Sequence, residues 1–396
     1  MTLPLDGILV ADLTQNVAGP FCAQILGDMG AEVVKVERPG RGDDARAWAP
    51  PFWGDESATF MAMNRNKKSL VLDLKGDAGL EVLKRLVAKA DVFVQSLRAG
   101  VVEEMGLDFA GARHLNPRLV YCSITAFGSR GPLRDLPGYD PLMQAYGGLM
   151  SVNGHPGGEP ARVGTSIVDM GTGMWAVIGI LGALRRRDAT GQAVDVTTAL
   201  FETALMWVSY HAMGYFGSGE VPQAQGSGTA MIAPYQAFPT ADGWAMIAAG
   251  SDSLFARLVT VLGVPELADD ERFRDNPSRV RNREALVAAL SARTRERKTT
   301  EVLERLRQAG VPSAPILTID AVVAEPQTAE TGILVTAPHS RLADYRSIGL
   351  PIQWDGRRPG VRRVPPRLGE HSEDVLTALG YTRDEVRALR AKGAVT

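Results

Sequence analysis

The sequence predicts an α/β protein: a large domain on a mostly parallel, doubly wound sheet, followed by a smaller α+β domain. Three observations predict it. Short apolar runs alternate with helical spacings through the first third of the chain. An Asp-Gly hairpin signal then opens a region of different rhythm. The length of 396 residues, 45% of them hydrophobic, suits two or three domains with sizeable cores.

Residues 8–13 form a short apolar run and read as the first strand. Residues 20–29 carry Phe21, Ile25, Leu26 and Met29 at helical spacing, and Gly30 stops the helix. Residues 32–36 and 69–74 read as the second and third strands. The stretch 79–90 is a helix with Leu80, Leu83, Leu86 and Val87 on one face. Residues 92–94 and 119–124 add two more strands. A sheet of this kind binds ligands at the carboxyl ends of its strands. Residues 16–20, Arg38 and residues 96–100 would lie there. The first turn holds one glycine, Gly19, so the dinucleotide fingerprint G-x-G-x-x-G is absent. Glu37 ends the second strand, where a ribose-binding acid or a plain solvated charge is equally at home.

The second region begins near residue 200. Residues 201–225 are aromatic and read as loop-prone, and 225–229 as a flexible turn. Residues 235–238 and 244–248 flank Asp242-Gly243 as a hairpin. Helices follow at about 252–262, 282–294 and 299–309. Residues 321–359 read as irregular, and two short amphipathic helices follow Leu368.

Composition narrows the function. A formal net charge of −2 gives no electrostatic case for nucleic acid or an anionic membrane surface. Two cysteines, Cys22 and Cys122, cannot build a disulfide framework, so a reducing cytoplasm is expected. The histidines show no metal-ligand spacing, and no metal site is expected. No signal peptide is expected, because no basic segment precedes an apolar core at the start. The longest apolar stretch, near 174–184, is interrupted by Gly179 and Gly182 and reads as too short to span a bilayer.

Asp169 is the candidate catalytic residue. It sits among small residues, 163–174, ahead of an apolar helix that ends in Arg185, Arg186 and Arg187. Locally it reads first as a helix N-cap, accepting free backbone N–H groups at the positive end of the dipole. The small neighbours also leave room for a bulky ligand at the carboxylate.

Several runs, in order, resemble the family III CoA-transferases, also called the CaiB/BaiF family. They are Asp12-Leu13-Thr14-Gln15-Asn16-Val17-Ala18-Gly19-Pro20-Phe21, then 30–40, then Asn64-Arg65-Asn66-Lys67-Lys68-Ser69 with Asp73-Leu74-Lys75. Next come 90–94 with Arg98-Ala99-Gly100, Tyr139-Asp140 through Gly147-Gly148, Asp169 with Gly173, and Pro365-Pro366-Arg367-Leu368-Gly369-Glu370-His371. The likeness covers almost the whole chain, and the ordered set is specific where each run alone is weak.

The resemblance implies a Rossmann-like large domain, 1–199 with 360–396, and a small domain, 226–320. Linkers at 200–225 and 321–359 would join them in an interlocked homodimer. It implies CoA transfer from an acyl-CoA to a carboxylic acid, with Asp169 as nucleophile and helix capping as a compatible second role. No tightly bound cofactor is expected, since the CoA thioester is the substrate. Backbone amides at Val17 and Ala18, and the turn Gly226-Ser227-Gly228, would stabilise oxyanions by analogy. Some members carry Gln at the position of Val17, so one side-chain donor is missing here. Arg38, then Lys75 and Arg98, would contact CoA phosphate or adenine. Leu72, Leu97 and Met105 would flank the adenine, with Ser96 and Tyr139 beside them. Two alternatives remain. A 2-methylacyl-CoA racemase would need an acid/base pair, but no histidine stands beside Gly138-Tyr139-Asp140. A non-enzymatic CoA-binding protein would need Asp169 to be inaccessible.

Overall fold

A computed structural model describes residues 2–396. Its central sheet contains β1 (Leu9–Leu13), β2 (Glu32–Glu37), β3 (Lys67–Val71), β4 (Val92–Gln95), β5 (Val120–Thr125) and β6 (Val194–Ala199). The strand order is β3-β2-β1-β4-β5-β6, and every neighbouring pair is parallel. The order reverses between β1 and β4. The loops after these two strands diverge there and leave a crevice at the carboxyl edge.

The helices include α1 (Ala18–Asp28), α2 (Asp77–Lys89), α3 (Asp140–Tyr146), α4 (Ile167–Thr190), α5 (Leu200–Trp207) and α6 (Ser209–Ser218). The strands are rich in valine because both sheet faces are covered. On one face Val10, Val33, Val94 and Cys122 pack with Cys22 and Leu26 of α1 and Ile180 of α4. On the other, Val34, Leu70 and Phe93 pack with Leu83 and Leu86 of α2 and Leu376 of a C-terminal helix, Ser372–Ala378. Gly173 lets α1 and α4 touch backbone to backbone. A Cβ there would lie 2.6 Å from the Ala18 carbonyl oxygen.

Several elements differ from the sequence expectation. β3 ends at Val71 rather than residue 74, because the chain turns to other partners. Leu72 N–H still donates to Glu37 O at 2.9 Å, but Asp73 N–H donates to Ala394 O at 3.0 Å. β6 was not expected, since its Val-Asp-Val-Thr-Thr-Ala pattern belongs to a half-exposed edge strand. The loop-prone stretch after 200 is instead helical, as α5 and α6. The irregular stretch 321–359 contains the helix Pro326–Glu330 and a hairpin, Leu334–Ala337 with Tyr345–Ile348. α4 outruns its apolar core: with 24 residues it is long enough to cross a bilayer. Here Val168, Ala176, Val177, Ile180 and Leu184 are buried in the fold.

The chain divides into two compact units. One takes the chain up to Leu149, Val163–Tyr210 and Pro326–Thr396; the other takes Met150–Arg162 and His211–Glu325. The stretch 200–225 is divided between the two units after Tyr210, and 321–359 falls mostly in the first. α5 belongs to the first because Gly171 brings Trp207 against α4 and Thr172 Oγ1 bonds Thr203 Oγ1 at 2.8 Å. The hairpin belongs there because Tyr345 Oη donates to Met61 O at 2.9 Å and Arg65 Nη1 to Ser347 Oγ at 2.9 Å.

The second unit holds a three-stranded antiparallel sheet of β7 (Tyr235–Pro239), β8 (Trp244–Ala248) and β9 (Ser313–Pro315), with β8 central. The β7–β8 hairpin closes where expected, with Thr240 N–H donating to Gly243 O at 2.9 Å. Helices Asp252–Leu262, Arg283–Thr294 and Thr299–Gln308 supply Phe255, Leu258, Leu286 and Leu306 to its core.

Candidate active site

The loop from β1 to α1 is held from beneath by buried charges. Asp12 accepts from Thr14 N at 3.1 Å, from Thr14 Oγ1 at 2.5 Å and from Lys67 Nζ at 3.0 Å. Lys35 Nζ donates to Thr14 O at 2.9 Å and pairs with Asp43 Oδ2 at 2.7 Å. Asp43 Oδ1 accepts from Asn16 N at 3.0 Å and from Ala45 N at 2.9 Å. Burial opposes the charges on Lys35 and Asp43, yet their mutual attraction wins. Lys35 is held above its ordinary value and Asp43 below its own. Burial does prevail at Lys67, which is pushed down to about 8.

Asn16 takes the left-handed conformation, φ 71°, and the chain then enters α1 with Val17 as its N-cap. Gly19 allows Thr14 to fold back, because a Cβ there would lie 2.3 Å from Thr14 Cβ. The N–H groups of Val17, Ala18 and Gly19 donate to no acceptor among the described residues. They point free donors and the positive helix end outward from one place.

Glu37 is a structural partner. It accepts from Arg46 Nε at 2.7 Å, Arg46 Nη2 at 2.8 Å and Ser69 Oγ at 2.7 Å. Burial raises its carboxyl, but Arg46 outweighs that and holds it below the usual range.

Asp169 is not the N-cap of α4. That position is Ser166, whose side chain makes no capping bond, and Asp169 lies in the first turn. Asp140 of α3 caps the helix from a distance. Its Oδ2 accepts from Val168 N at 2.8 Å and Asp169 N at 3.2 Å. Its Oδ1 accepts from Gln144 Nε2 at 2.6 Å, and Gln144 Oε1 accepts from Val163 N at 2.8 Å. Asp140 is fully buried and Asp169 half-buried. Burial first, and the neighbouring Asp140 second, push the Asp169 carboxyl up to about 7.

A cavity of about 710 Å3 opens at the carboxyl ends of β1, β4 and β5. It brings together seven of the expected site residues: Val17, Ala18, Ser96, Leu97, Arg98, Tyr139 and Asp169. Four others lie outside its wall. Leu72 has no exposed surface and packs in the core beneath the sheet, so it cannot flank an adenine in this conformation. Met105 packs against the same core. Arg38 is exposed and paired with Asp44, and Lys75 is exposed.

Gly226, Ser227 and Gly228 belong to the second unit, where they are pinned. Gly226 N–H donates to Gly154 O at 2.8 Å, Gly228 N–H to Gln225 O at 3.0 Å, and Ser227 Oγ accepts from Ala237 N at 3.0 Å. Gly226 is left-handed, φ 62°, which favours glycine.

Sequence reasoning assigned no role to Asp140, Arg134 or Asp195. The last two also line the cavity, and burial raises the Asp195 carboxyl. Asp140 had a signal: it stands in the quoted run beside Tyr139. Its bond to a helix 29 residues later had none.

Residues 5–372 match the model for CoA-transferase family III. The chain is 36% identical over 393 residues to succinyl-CoA:glutarate CoA-transferase of Homo sapiens, covering 99% of this chain and 90% of the relative. It is 38% identical over 373 residues to acetyl-CoA:oxalate CoA-transferase of Acetobacter aceti, covering 93% of each. The crystal structure of a CaiB/BaiF family protein from Brucella suis superposes with a TM-score of 0.87 at 39% identity, covering 96% of this chain and all of that one. A carboxylate of raised proton affinity and the N-terminal end of α1, lining one Rossmann-like crevice, thus sit in a chain that belongs to CoA-transferase family III and is a CoA-transferase.

Proposed function

We propose that Asp169 carries CoA from an acyl-CoA donor to a carboxylic acid through two covalent states. The observation that supports this is a half-buried carboxylate, its affinity for a proton raised, one helical turn from the Gly173–Ala18 contact that brings in the start of α1. The Asp169 oxygen attacks the thioester carbonyl. The C–S bond breaks, CoA leaves as thiolate, and a mixed anhydride forms. The thiolate attacks the Asp169 acyl carbon, releases the donor acid as carboxylate and leaves an aspartyl-CoA thioester. The acceptor carboxylate attacks that thioester and expels the thiolate again. Thiolate attack on the acceptor's acyl carbon gives the new acyl-CoA and regenerates Asp169. No net proton moves. The free N–H groups of Val17, Ala18 and Gly19 suit each tetrahedral oxyanion.

Asp140 fits this scheme and does not favour a racemase. Its Oδ2 already accepts two backbone N–H groups, so it is not a free acid or base. The relatives' names carry short dicarboxylates. Succinyl-CoA with glutarate and acetyl-CoA with oxalate are therefore the first pairs to assay. Ser96, Leu97, Arg98 and Tyr139 are assigned to CoA within the cavity; Arg38 and Lys75 are assigned to any part of it outside.

The test is mass spectrometry of enzyme mixed with donor acyl-CoA and no acceptor. An adduct on the peptide containing Asp169, cleaved by hydroxylamine, is expected. Exchange of the α-proton of a 2-methylacyl-CoA with deuterated solvent, without transfer across the panel, would replace this reading with the racemase.

The pH profile offers a second check. The nucleophile must be ionised, so kcat/KM is expected to rise with pH towards about 7. In Asp140→Asn the amide oxygen can still cap α4 while the charge is gone. The acid limb is expected to move to lower pH. An unmoved limb would remove Asp140 from the account.

The functional unit is proposed to be a homodimer. α6 supports this, since Tyr210, Met213 and Phe216 are 58%, 66% and 74% exposed, more apolar surface than a solvated helix normally shows. Sedimentation is expected to show a dimer at all working concentrations; a folded monomer would refute it.

A further inference from the structure

We infer that Arg134 is a phosphate-binding residue for the CoA thioester, an assignment that rests on the CoA-transfer reading above. The crevice has few cations to offer a substrate carrying several phosphate charges. Among the described residues that line the cavity, only Arg98 and Arg134 are cationic, whereas Glu103, Asp108, Asp135, Asp169 and Asp195 are acidic. With two guanidinium groups against five carboxylates, a phosphate entering this wall meets net repulsion unless an arginine takes it directly.

Arg134 is placed to do so. It sits on the loop that follows β5, the strand paired in parallel with β4, which Arg98 follows. The loop is anchored at both ends. Gly128 N–H donates to Thr125 Oγ1 at 3.0 Å. At the far end Gly138 packs so closely that a Cβ would lie 2.7 Å from Ala126 Cβ. Among the described residues the Arg134 side chain pairs only with its neighbour Asp135, at 3.3 Å through Nε, with both side chains mostly exposed. That pair is weak. It leaves both terminal nitrogens of the guanidinium without a carboxylate, as bidentate phosphate contact requires. Arg98 makes no ion pair among the described residues, so one unpaired and one weakly paired guanidinium group line one cavity.

The two arginines would share the charge of one CoA molecule, and the pantetheine arm would run from them towards Asp169. The experiment uses the full-length protein, its Arg134→Ala and Arg134→Lys variants, and two probes titrated by calorimetry: CoA, and pantetheine, which has the same thiol arm without phosphate. Arg134→Ala is expected to weaken CoA by roughly ten- to a hundredfold, the range for a hydrogen bond to a charged group, while pantetheine changes less than about twofold on the same scale. Arg134→Lys should recover part of the loss. Unchanged melting of both variants shows that the fold survives. Equal CoA affinity in all three proteins, or an equal loss for both probes, overturns the assignment to phosphate. In those outcomes wild-type CoA binding remains and the transfer reading stands. If the wild type binds neither probe, both readings fall together.

Discussion

Asp169→Ala abolishes transfer, with kcat falling by at least about 10⁴-fold, as for other deletions of a covalent nucleophile. No neighbour can take its place. Asp140 is fully buried, and its Oδ2 is committed to the first turn of α4. The variant still folds, because the cap of α4 comes from Asp140 and not from Asp169. CoA should bind nearly as before, since Arg98 and Arg134 at the cavity wall are untouched. A turnover close to wild type would end the covalent mechanism.

Asp169 also leaves a thermodynamic trace. In the folded chain it holds its proton up to about 7, against an ordinary value of 3.8. The folded state therefore binds more protons than the unfolded state between those values, and wild-type stability falls as pH rises through them. Asp169→Asn has no proton to lose. Its melting temperature should match wild type below pH 4 and exceed it increasingly up to about pH 7, then hold the gap. A constant difference across that range would mean that burial and Asp140 do not perturb the group.

Much of the large domain was legible because its evidence is local. Buried parallel strands read as continuous apolar runs, so β1, β2 and β4 stand out. α2 shows its apolar face at helical spacing. The ends of elements were set elsewhere. β3 stops at Val71 because Asp73 turns to pair with Ala394 and Leu72 bridges Val395, more than three hundred residues away in the chain. β6 escaped because Asp195 and Thr197 interrupt its apolar run. α5 and α6 looked loop-prone because so many of their large apolar residues are exposed, where periodicity predicts burial.

The site shows the same division. Residues that follow strands β1 and β4 could be placed from the sheet rule alone, and the cavity does collect Val17, Ala18, Ser96, Leu97 and Arg98. Leu72 failed because one residue decides whether a strand-end side chain faces the crevice or the core. The surroundings of Asp169 were not legible. The capping role that local pattern gave to Asp169 belongs to Asp140, and that exchange leaves the Asp169 carboxylate without a backbone partner among the described residues.

Asp43→Ala should damage both stability and turnover, by separable routes. Asp43 and Lys35 are fully buried and 2.7 Å apart. Removing one partner strands the other, which costs about 3–5 kcal/mol in comparable buried pairs. Thr14 O still accepts from Lys35 and the carboxylates of Asp12 and Glu37 still attract it, but its directly bonded carboxylate is gone. The same change frees Asn16 N–H, which donates to Asp43 at 3.0 Å. That bond holds the left-handed turn that aims Val17 and Ala18, so the oxyanion donors lose their fixed direction. Chemical denaturation should report the stability loss, and kcat at a temperature where the variant is folded should report the second effect. The double variant Lys35→Met/Asp43→Leu separates them. It removes both charges together, so most of the stability should return. Neither new side chain can accept from Asn16 N–H, so kcat should stay low. If kcat recovers with stability, the charge pair only holds the fold, and the turn before α1 needs no carboxylate to aim its amides.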